Sequence, residues 1–204
     1  MSNSTKREPD SRSSFELALE ELAIVGGFSN TVSLLFTGRS ADRQGELASM
    51  VHAKACAHGR SIGALTRSSM FDHSAIIGLA RMIIECLTMY GYLRKSTSQS
   101  DWELRYLVLR LHDTASRIKF MRAWQQKSDY ADLEAGREEL IEAIRQNSTA
   151  RNLPKDKCDK LLGGESIFVD GMRNAAKDVG WDSDAFLAIY NYFSAHLHGA
   201  PMSF

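Results

Sequence analysis

Apolar side chains recur every three or four residues along almost the whole chain, and this spacing limits the possible folds more than any other feature. It runs through four long segments, at about 14–37, 41–67, 72–95 and 100–127. Such spacing places apolar side chains along one face of an α-helix. No alternation of the kind that marks a strand continues for six residues. The sequence therefore predicts an all-α helical bundle with four long core helices.

Shorter helices are predicted after the four long ones. A fifth, at about 130–146, is rich in acidic residues, and the last is expected at about 184–198. The length of 204 residues suffices for one domain with a buried core. We therefore expect a single domain over 14–204, preceded by a polar, disordered tail at 1–13. The first long helix is expected to face the core through Leu22, Val25, Ser29, Val32 and Phe36.

Polar residues at the helix starts predict where several helices begin. Asp72 is placed to cap the third helix, and Asp182 or Ser183 to cap the last one. Their side-chain oxygens can accept hydrogen bonds from the free N–H groups of the first turn. Ser100 or Asp101 is expected to start the fourth helix by the same rule.

The charge balance excludes one class of function. Lysine and arginine total 25, aspartate and glutamate total 25, and the net charge is zero. A protein that holds nucleic acid through bulk electrostatics carries a strongly basic balance instead. The three cysteines, an odd number, do not suggest a disulfide framework and fit reduced thiols in a cytoplasmic protein.

One apolar segment, 74–93, has the length of a membrane span. Its only charges, Arg81 and Glu85, stand near its middle. Each would cost about 2.5–3.5 kcal/mol at the centre of a bilayer. We therefore expect this segment to be a core helix and the protein to have no membrane partner.

Arg81 and Glu85 are also the strongest local anomaly of the chain. They are four residues apart and share one face of a helix that is otherwise apolar. Charges inside an apolar helix must be paired, because an isolated one is costly to bury. Two interpretations stay open: a structural ion pair that fixes helix register, or a pocket in which Arg81 orients an anionic group.

The last helix carries a matching polar stripe. Tyr190, Ser194 and His198 follow one another at steps of four, with Asn191 beside them, next to an apolar stripe. Polar groups on an apolar helix need hydrogen-bond partners. Our hypothesis is that this face meets Arg81 and Glu85 inside the bundle, either as a polar pocket or as a satisfied core network.

The sequence predicts no metal ion and no cofactor. His196 and His198 are two residues apart, so they point to different sides of a helix. Motifs such as Glu-x-x-His and Cys-x-x-Cys do not occur. The pair His112-Asp113, with His73 upstream and Asp170 or Asp178 downstream, matches the loose order of HD-type metal phosphohydrolases. That class is the alternative function.

The chain resembles the HEPN-like group of small prokaryotic helical proteins. The resemblance lies in the last helix, which ends Tyr-Asn-Tyr-Phe-Ser-Ala-His-Leu-His-Gly, and in the Arg81-Met-Ile-Ile-Glu85 segment. It covers roughly 40–200 and implies a bundle that forms homodimers. Some members are RNases in toxin–antitoxin, abortive-infection or CRISPR systems, and others bind nucleotides or protein partners without catalysis.

Catalytic HEPN-like proteins carry an arginine and a histidine separated by four to six residues, and two protomers bring these residues together without a metal. The resemblance points here to Arg67 with His73, or to Arg105 with His112. In the second case His112 would act as acid or base and Arg105 would bind phosphate. We therefore expect a protein of stress or antiviral defence, either an accessory interaction module or a metal-independent RNase, with RNA, a nucleotide or another protein as partner.

Overall fold

A computed structural model of the chain describes residues 13–36, 39, 42–67, 72–124 and 130–197. Within these ranges there are nine α-helices and no strand, which confirms the predicted all-α bundle. The predicted tail, apart from Ser13, and His198 lie outside the described residues. The helices are α1 (Ser14–Phe36), α2 (Arg43–Leu65), α3 (His73–Arg94), α4 (Gln99–Ala123), α5 (Ala131–Gln146), α6 (Ser148–Arg151), α7 (Lys155–Leu162), α8 (Met172–Asp178) and α9 (Ser183–Leu197).

Side-chain caps explain where the helices begin. Asp72 accepts a hydrogen bond of 2.9 Å from the N–H of Ala75, and Asp182 one of 2.8 Å from Ala185, which confirms both predicted caps. The start of α4 was predicted wrongly, because Ser98 caps it by accepting from the N–H of Asp101.

Ser100, one of the two residues expected to start α4, has a different role. Its hydroxyl lies 2.7 Å from that of Ser148 and accepts from the N–H of Thr149 at 3.2 Å. It therefore ties the first turn of α4 to α6. The sequence did not predict α6, whose first turn is capped by Asn147.

The core consists of two apolar clusters that meet at α4. One joins α4 to α5 and α7, with Leu104, Leu111 and Ile144 fully buried. The other joins Trp102 of α4 to the end of α3 and to Phe168, in the segment before α8. Burial of large side chains is the main stabilising contribution in a domain of this size. The helix α4 is thus the central element of the fold.

A buried ion pair links α4 to α3. Arg105 lies 3.0 Å from Asp101, and their side chains are only 10% and 14% exposed. The guanidinium also donates a hydrogen bond to the carbonyl of Tyr92 and lies 4.3 Å from the centre of the Tyr92 ring. The Tyr92 hydroxyl in turn accepts a hydrogen bond of 3.1 Å from the N–H of Val169. Burial raises the pKa of Tyr92 to about 12.

The inner face predicted for α1 was wrong in part. Val25 and Phe36, expected in the core, are each 62% exposed, and Ser33 is the buried residue of this helix. The reason is that α1 is apolar around most of its circumference, while it packs along one side only, against α2. Periodicity cannot choose the inner side of such a helix.

Within the described part of the chain, two helices, α1 and α3, are long and apolar enough to cross a membrane if only length and composition are considered. The sequence had singled out α3 alone. In α3, 28% of the apolar window is buried against the rest of the protein, compared with 6% in α1.

The close packing of α3 against the turn after α8 gives a testable prediction. A Cβ atom added at Gly91 would lie 2.7 Å from Cβ of Val179, whereas one at Gly59 of α2 would meet nothing within 4 Å. We expect Gly91→Ala to lower the free energy of unfolding by about 1–3 kcal/mol, because the helices must separate. Gly59→Ala is the control and should raise it by about 0.5–1 kcal/mol. Urea unfolding followed by circular dichroism measures both, and equal effects would contradict the packing.

Candidate functional site

A cleft of about 670 Å³ lies between α2, α3, the segment before α8 and α9. One wall is apolar and rich in sulfur, formed by Met82, Met89, Met172 and Phe168. Methionine side chains adapt to ligands of varied shape, and they are common at binding surfaces. The polar residues of the cleft are Lys54, Arg81, Glu85, Glu165, Ser166 and Tyr190.

A hydrogen-bonded network of α3 and α9 forms the polar end of the cleft. Arg81 donates to Glu85 at 3.0 Å and to the hydroxyl of Tyr190 at 2.6 Å. That hydroxyl donates to Glu85 at 3.1 Å, which closes a triangle of three groups. The guanidinium carbon also lies 4.5 Å from the centre of the Tyr190 ring. Aromatic rings attract cations placed over their faces.

The structure therefore confirms the predicted contact between the Arg81/Glu85 stripe and the last helix. Tyr190 is its main partner, and Ser194 accepts a longer hydrogen bond of 3.5 Å from Arg81. Asn191 is exposed, and no hydrogen bond joins it to the network among the described residues. His198, the fourth predicted member, lies outside the described residues.

The charges of the cleft leave one cation unmatched. Arg81 is paired with Glu85, and Glu165 is paired with Lys119 of α4 at 3.2 Å. Lys54 also lines the cleft, is exposed and has no ion-pair partner among the described residues. Burial acts to lower the pKa of Arg81, but its hydrogen bonds to Tyr190 and Glu85 raise it above the usual value. Arg81 therefore stays charged at neutral pH, and together with Lys54 it can attract an anion to the cleft.

The cysteine in the cleft is not an activated nucleophile. Burial is the main effect on Cys86, and it raises the pKa of the thiol. A thiol with a raised pKa is a poor nucleophile at neutral pH, because the thiolate is the reactive form. The cleft as described supplies cations, hydrogen bonds and an apolar wall, which are the properties of a binding site.

The two residues proposed for RNA cleavage make separate structural contacts. Arg105 is buried in the ion pair with Asp101, so it would have to leave that pair to bind phosphate. The Nδ1 atom of His112 lies 3.2 Å from the carbonyl oxygen of Gly164, in the turn after α7. In the other predicted pair, Arg67 is exposed at the end of α2, and His73 packs against His196 with ring centres 5.8 Å apart.

The residues of the predicted HD-type site do not assemble into a metal centre. Asp113 forms an ion pair with Arg117 at 2.8 Å, Asp170 pairs with Lys157, and His73 lies against α9. Among the described residues, no group of three or more histidine, cysteine, aspartate or glutamate side chains could hold a metal ion. A metal phosphohydrolase needs such a group, so the described geometry gives this alternative no support.

Sequence reasoning missed Lys54, Glu165 and the apolar wall of the cleft. One signal was available: Lys54 stands three residues after Val51 in a register of α2 that is mostly apolar. A lone lysine at a core-facing position suggests an anion nearby. Glu165 and Phe168 gave no such signal, because they lie in a segment without periodicity.

A comparison of two arginines of α4, Arg105 and Arg117, tests whether Arg105 stabilises the fold. Arg105 and Arg117 each pair with an aspartate four residues earlier, but Arg117 and Asp113 are 65% and 60% exposed. We expect Arg105→Ala to lower the free energy of unfolding by about 3 kcal/mol, because it strands a buried carboxylate. Arg117→Ala should change it by less than about 0.5 kcal/mol. Thermal and urea unfolding measure both, and a stable Arg105→Ala protein would contradict the structural role.

A double-mutant cycle tests the network between α3 and α9. Tyr190→Phe keeps the ring and removes the hydroxyl that bonds both Arg81 and Glu85. We expect a coupling energy of about 1 kcal/mol between Tyr190→Phe and Arg81→Met in urea unfolding. Tyr192→Phe on the same helix is the matched control and should show no coupling to Arg81→Met. Equal coupling for both tyrosines would show that the network is not specific.

Comparisons with known proteins identify the family of this chain and nothing about its activity. No curated protein and no solved structure matches it. One family model, described as a family of unknown function and called DUF5677, matches residues 45–204. This range includes α3, α9 and the whole cleft, while α1 precedes it. The chain belongs to the DUF5677 family.

Proposed function

We propose that this protein is a non-catalytic binding module whose cleft takes a small molecule with an anionic group and an apolar or aromatic part. Nucleotides belong to this chemical class. The observation that carries the proposal is the unmatched cation Lys54, which lines the same cleft as Arg81 and a methionine-rich wall. In the context implied by the HEPN-like resemblance, the module would act as an accessory protein in prokaryotic stress or defence.

The polar end supports anion binding because hydrogen bonds hold the Arg81 guanidinium in place while one of its nitrogens makes only a weak contact. The bonds of Arg81 to Glu85 and Tyr190 hold the guanidinium in place. Its Nη1 atom makes only a 3.5 Å contact with Ser194, at the outer limit of a hydrogen bond. This nitrogen can donate to an anionic oxygen at the loss of only that weak contact. A guanidinium held in one orientation loses less entropy when it binds an anion.

The apolar wall supports a ligand larger than a simple anion. Phe168 is buried at the floor of the cleft, while Met82 is exposed at its edge. A cleft of about 670 Å³ is within the usual range for small-molecule sites. An inorganic ion would leave most of this volume and the apolar wall unused, so the structure favours a ligand with a flat apolar part.

The RNase version of the function has weaker support. It requires an arginine that can reach phosphate, and the pair to which we assigned roles in cleavage contains Arg105, whose guanidinium is engaged by Asp101 and Tyr92. Freeing it would break a buried ion pair at a cost of several kcal/mol. The module version needs no such rearrangement.

Binding of ATP and of AMP by the full chain tests the proposal. We expect calorimetry to show binding, and Lys54→Ala to weaken it about tenfold because the cleft loses its unmatched cation. Lys54→Arg should keep most of the affinity. Lys160→Ala is the matched control, because Lys160 is exposed on α7 and does not line the cleft. Equal weakening by Lys54→Ala and Lys160→Ala would show that the anion binds elsewhere.

RNA cleavage distinguishes the two versions of the function. The module version predicts no cleavage of single-stranded RNA in the presence of a chelator. Cleavage that His112→Ala abolishes, in a protein that still folds, would overturn the module and support the RNase.

A further inference from the structure

A second cavity, of about 390 Å³, lies where α1, α2 and α3 meet. It is separate from the cleft, because the two share no lining residue. Small buried residues form its inner part: Ser33 of α1 and Ala48 of α2 are 8% and 2% exposed. Its volume is at the lower end of the usual range for small-molecule sites. We call it the arginine cavity, after Arg39 and Arg94, which line it.

The charges that line the arginine cavity are all positive among the described residues. Of the arginines in the described part of the chain, only Arg39, Arg67 and Arg94 make no side-chain hydrogen bond, ion pair or ring contact. Arg39 and Arg94 line this one cavity. The carboxylate of Asp42 accepts the N–H of Gly45 as the cap of α2, at 2.6 Å, and does not line the cavity. The two guanidinium groups are always charged, so the cavity attracts an anion.

The end of α3 does not use the Arg94 guanidinium. A basic residue in the last turn of a helix commonly donates to the carbonyl groups that the helix leaves free. Here the carbonyl of Tyr92 accepts from Arg105, and that of Leu93 accepts from Gln44 of α2. The Arg94 side chain is exposed and stays available to a ligand.

Two more side chains of the cavity can donate hydrogen bonds to the same ligand. The hydroxyl of Tyr90 has no hydrogen-bond partner among the described residues. The imidazole of His52 makes only a weak contact of 3.9 Å, with the sulfur of Cys56. The centres of the Tyr90 and His52 rings are 5.8 Å apart, so the two groups stand next to each other. A hydroxyl and an imidazole can each donate to an anionic oxygen.

We propose that the arginine cavity is a second binding site, which takes a phosphate monoester with a small organic part. A phosphate monoester carries a charge of about −1.5 to −2 at neutral pH, which matches two guanidinium groups. A carboxylate carries a single charge and would leave one arginine unmatched. The planar set of N–H donors on arginine also suits the oxygens of a phosphate.

The apolar lining indicates the organic part of the ligand. Val32 and Phe36 of α1 line the cavity. Arg39 is held at the end of that helix by a hydrogen bond of 3.1 Å from its N–H to the carbonyl of Phe36. Inorganic phosphate would use the donors and leave these apolar side chains without a contact. The volume, smaller than the 670 Å³ of the cleft, favours an ester with one ring or a short chain.

Calorimetric titration of the full chain with phenyl phosphate tests the site. We expect binding, and we expect Arg94→Gln to raise the dissociation constant about tenfold, because one of the two cations is lost. Arg39→Gln should have a similar effect. Arg67→Gln is the matched control, because Arg67 is also exposed and without a partner but does not line the cavity. It should leave the dissociation constant unchanged.

Two further measurements support the reading of that titration. Benzoate has the same ring and a single charge, so it should bind about tenfold more weakly than phenyl phosphate. Arg94→Gln should keep the thermal unfolding midpoint of the wild type, because the guanidinium makes no hydrogen bond or ion pair among the described residues.

The variant Lys54→Ala separates this site from the cleft. Lys54 lines the cleft and not the arginine cavity, so its loss should leave the affinity for phenyl phosphate unchanged. Weakening by Lys54→Ala and not by Arg94→Gln would place the ester in the cleft, which overturns this proposal and supports the function proposed for the cleft. Phenyl phosphate binding that depends on Arg94, in a protein that binds neither ATP nor AMP through Lys54, would support this proposal alone.

Three other results would overturn the proposal. The first is a wild-type protein that does not bind phenyl phosphate. The second is equal weakening by Arg94→Gln and Arg67→Gln, which would show that the anion is attracted by surface charge in general. The third is equal affinity for benzoate and phenyl phosphate, which would show that the two cations do not act on one dianion.

Discussion

The ion pair between Arg105 and Asp101 is the interaction on which the described fold depends most. It lies where the two apolar clusters meet, and its guanidinium binds the end of α3 through the carbonyl and ring of Tyr92. Through the Tyr92 hydroxyl and the N–H of Val169, the same group also orients the segment before α8. That segment supplies Phe168, the buried wall of the cleft. A charge buried in the core thus shapes the candidate site. The Arg105 guanidinium finds its hydrogen-bond partners only when α3, α4 and this segment are packed together.

The cleft repeats the same arrangement with a different degree of exposure. Arg81, like Arg105, pairs with a carboxylate four residues away and lies over a tyrosine ring. Around Arg105 both charged side chains are buried, while Arg81 and Glu85 are 20% and 39% exposed. The same chemistry is therefore structural at one place and accessible at the other. The surroundings of the two arginines differ: core side chains enclose Arg105, while the space beside Arg81 is open to a ligand.

Much of the fold and part of the site could be predicted from local patterns. The four long helices follow from apolar periodicity, and the caps Asp72 and Asp182 follow from the N–H groups that a first turn leaves free. The contact of Arg81 with Tyr190 followed from the requirement that buried polar groups find partners. Arg105 was predicted as a phosphate-binding residue because a sequence motif does not show burial. The segment with Glu165 and Phe168 has no periodicity, so its place in the cleft gave no signal.

The sequence by itself determined that this chain is helical, where α3 and α9 begin, and that Arg81, Glu85 and Tyr190 need hydrogen-bond partners. These are consequences of short-range spacing and of the cost of unpaired polar groups. Only the tertiary structure decided which side of each helix is inside. It buried Arg105, left Lys54 exposed in the cleft, and left several large apolar side chains of α1 exposed. These outcomes depend on which helix packs against which, and residues far apart in the chain decide that.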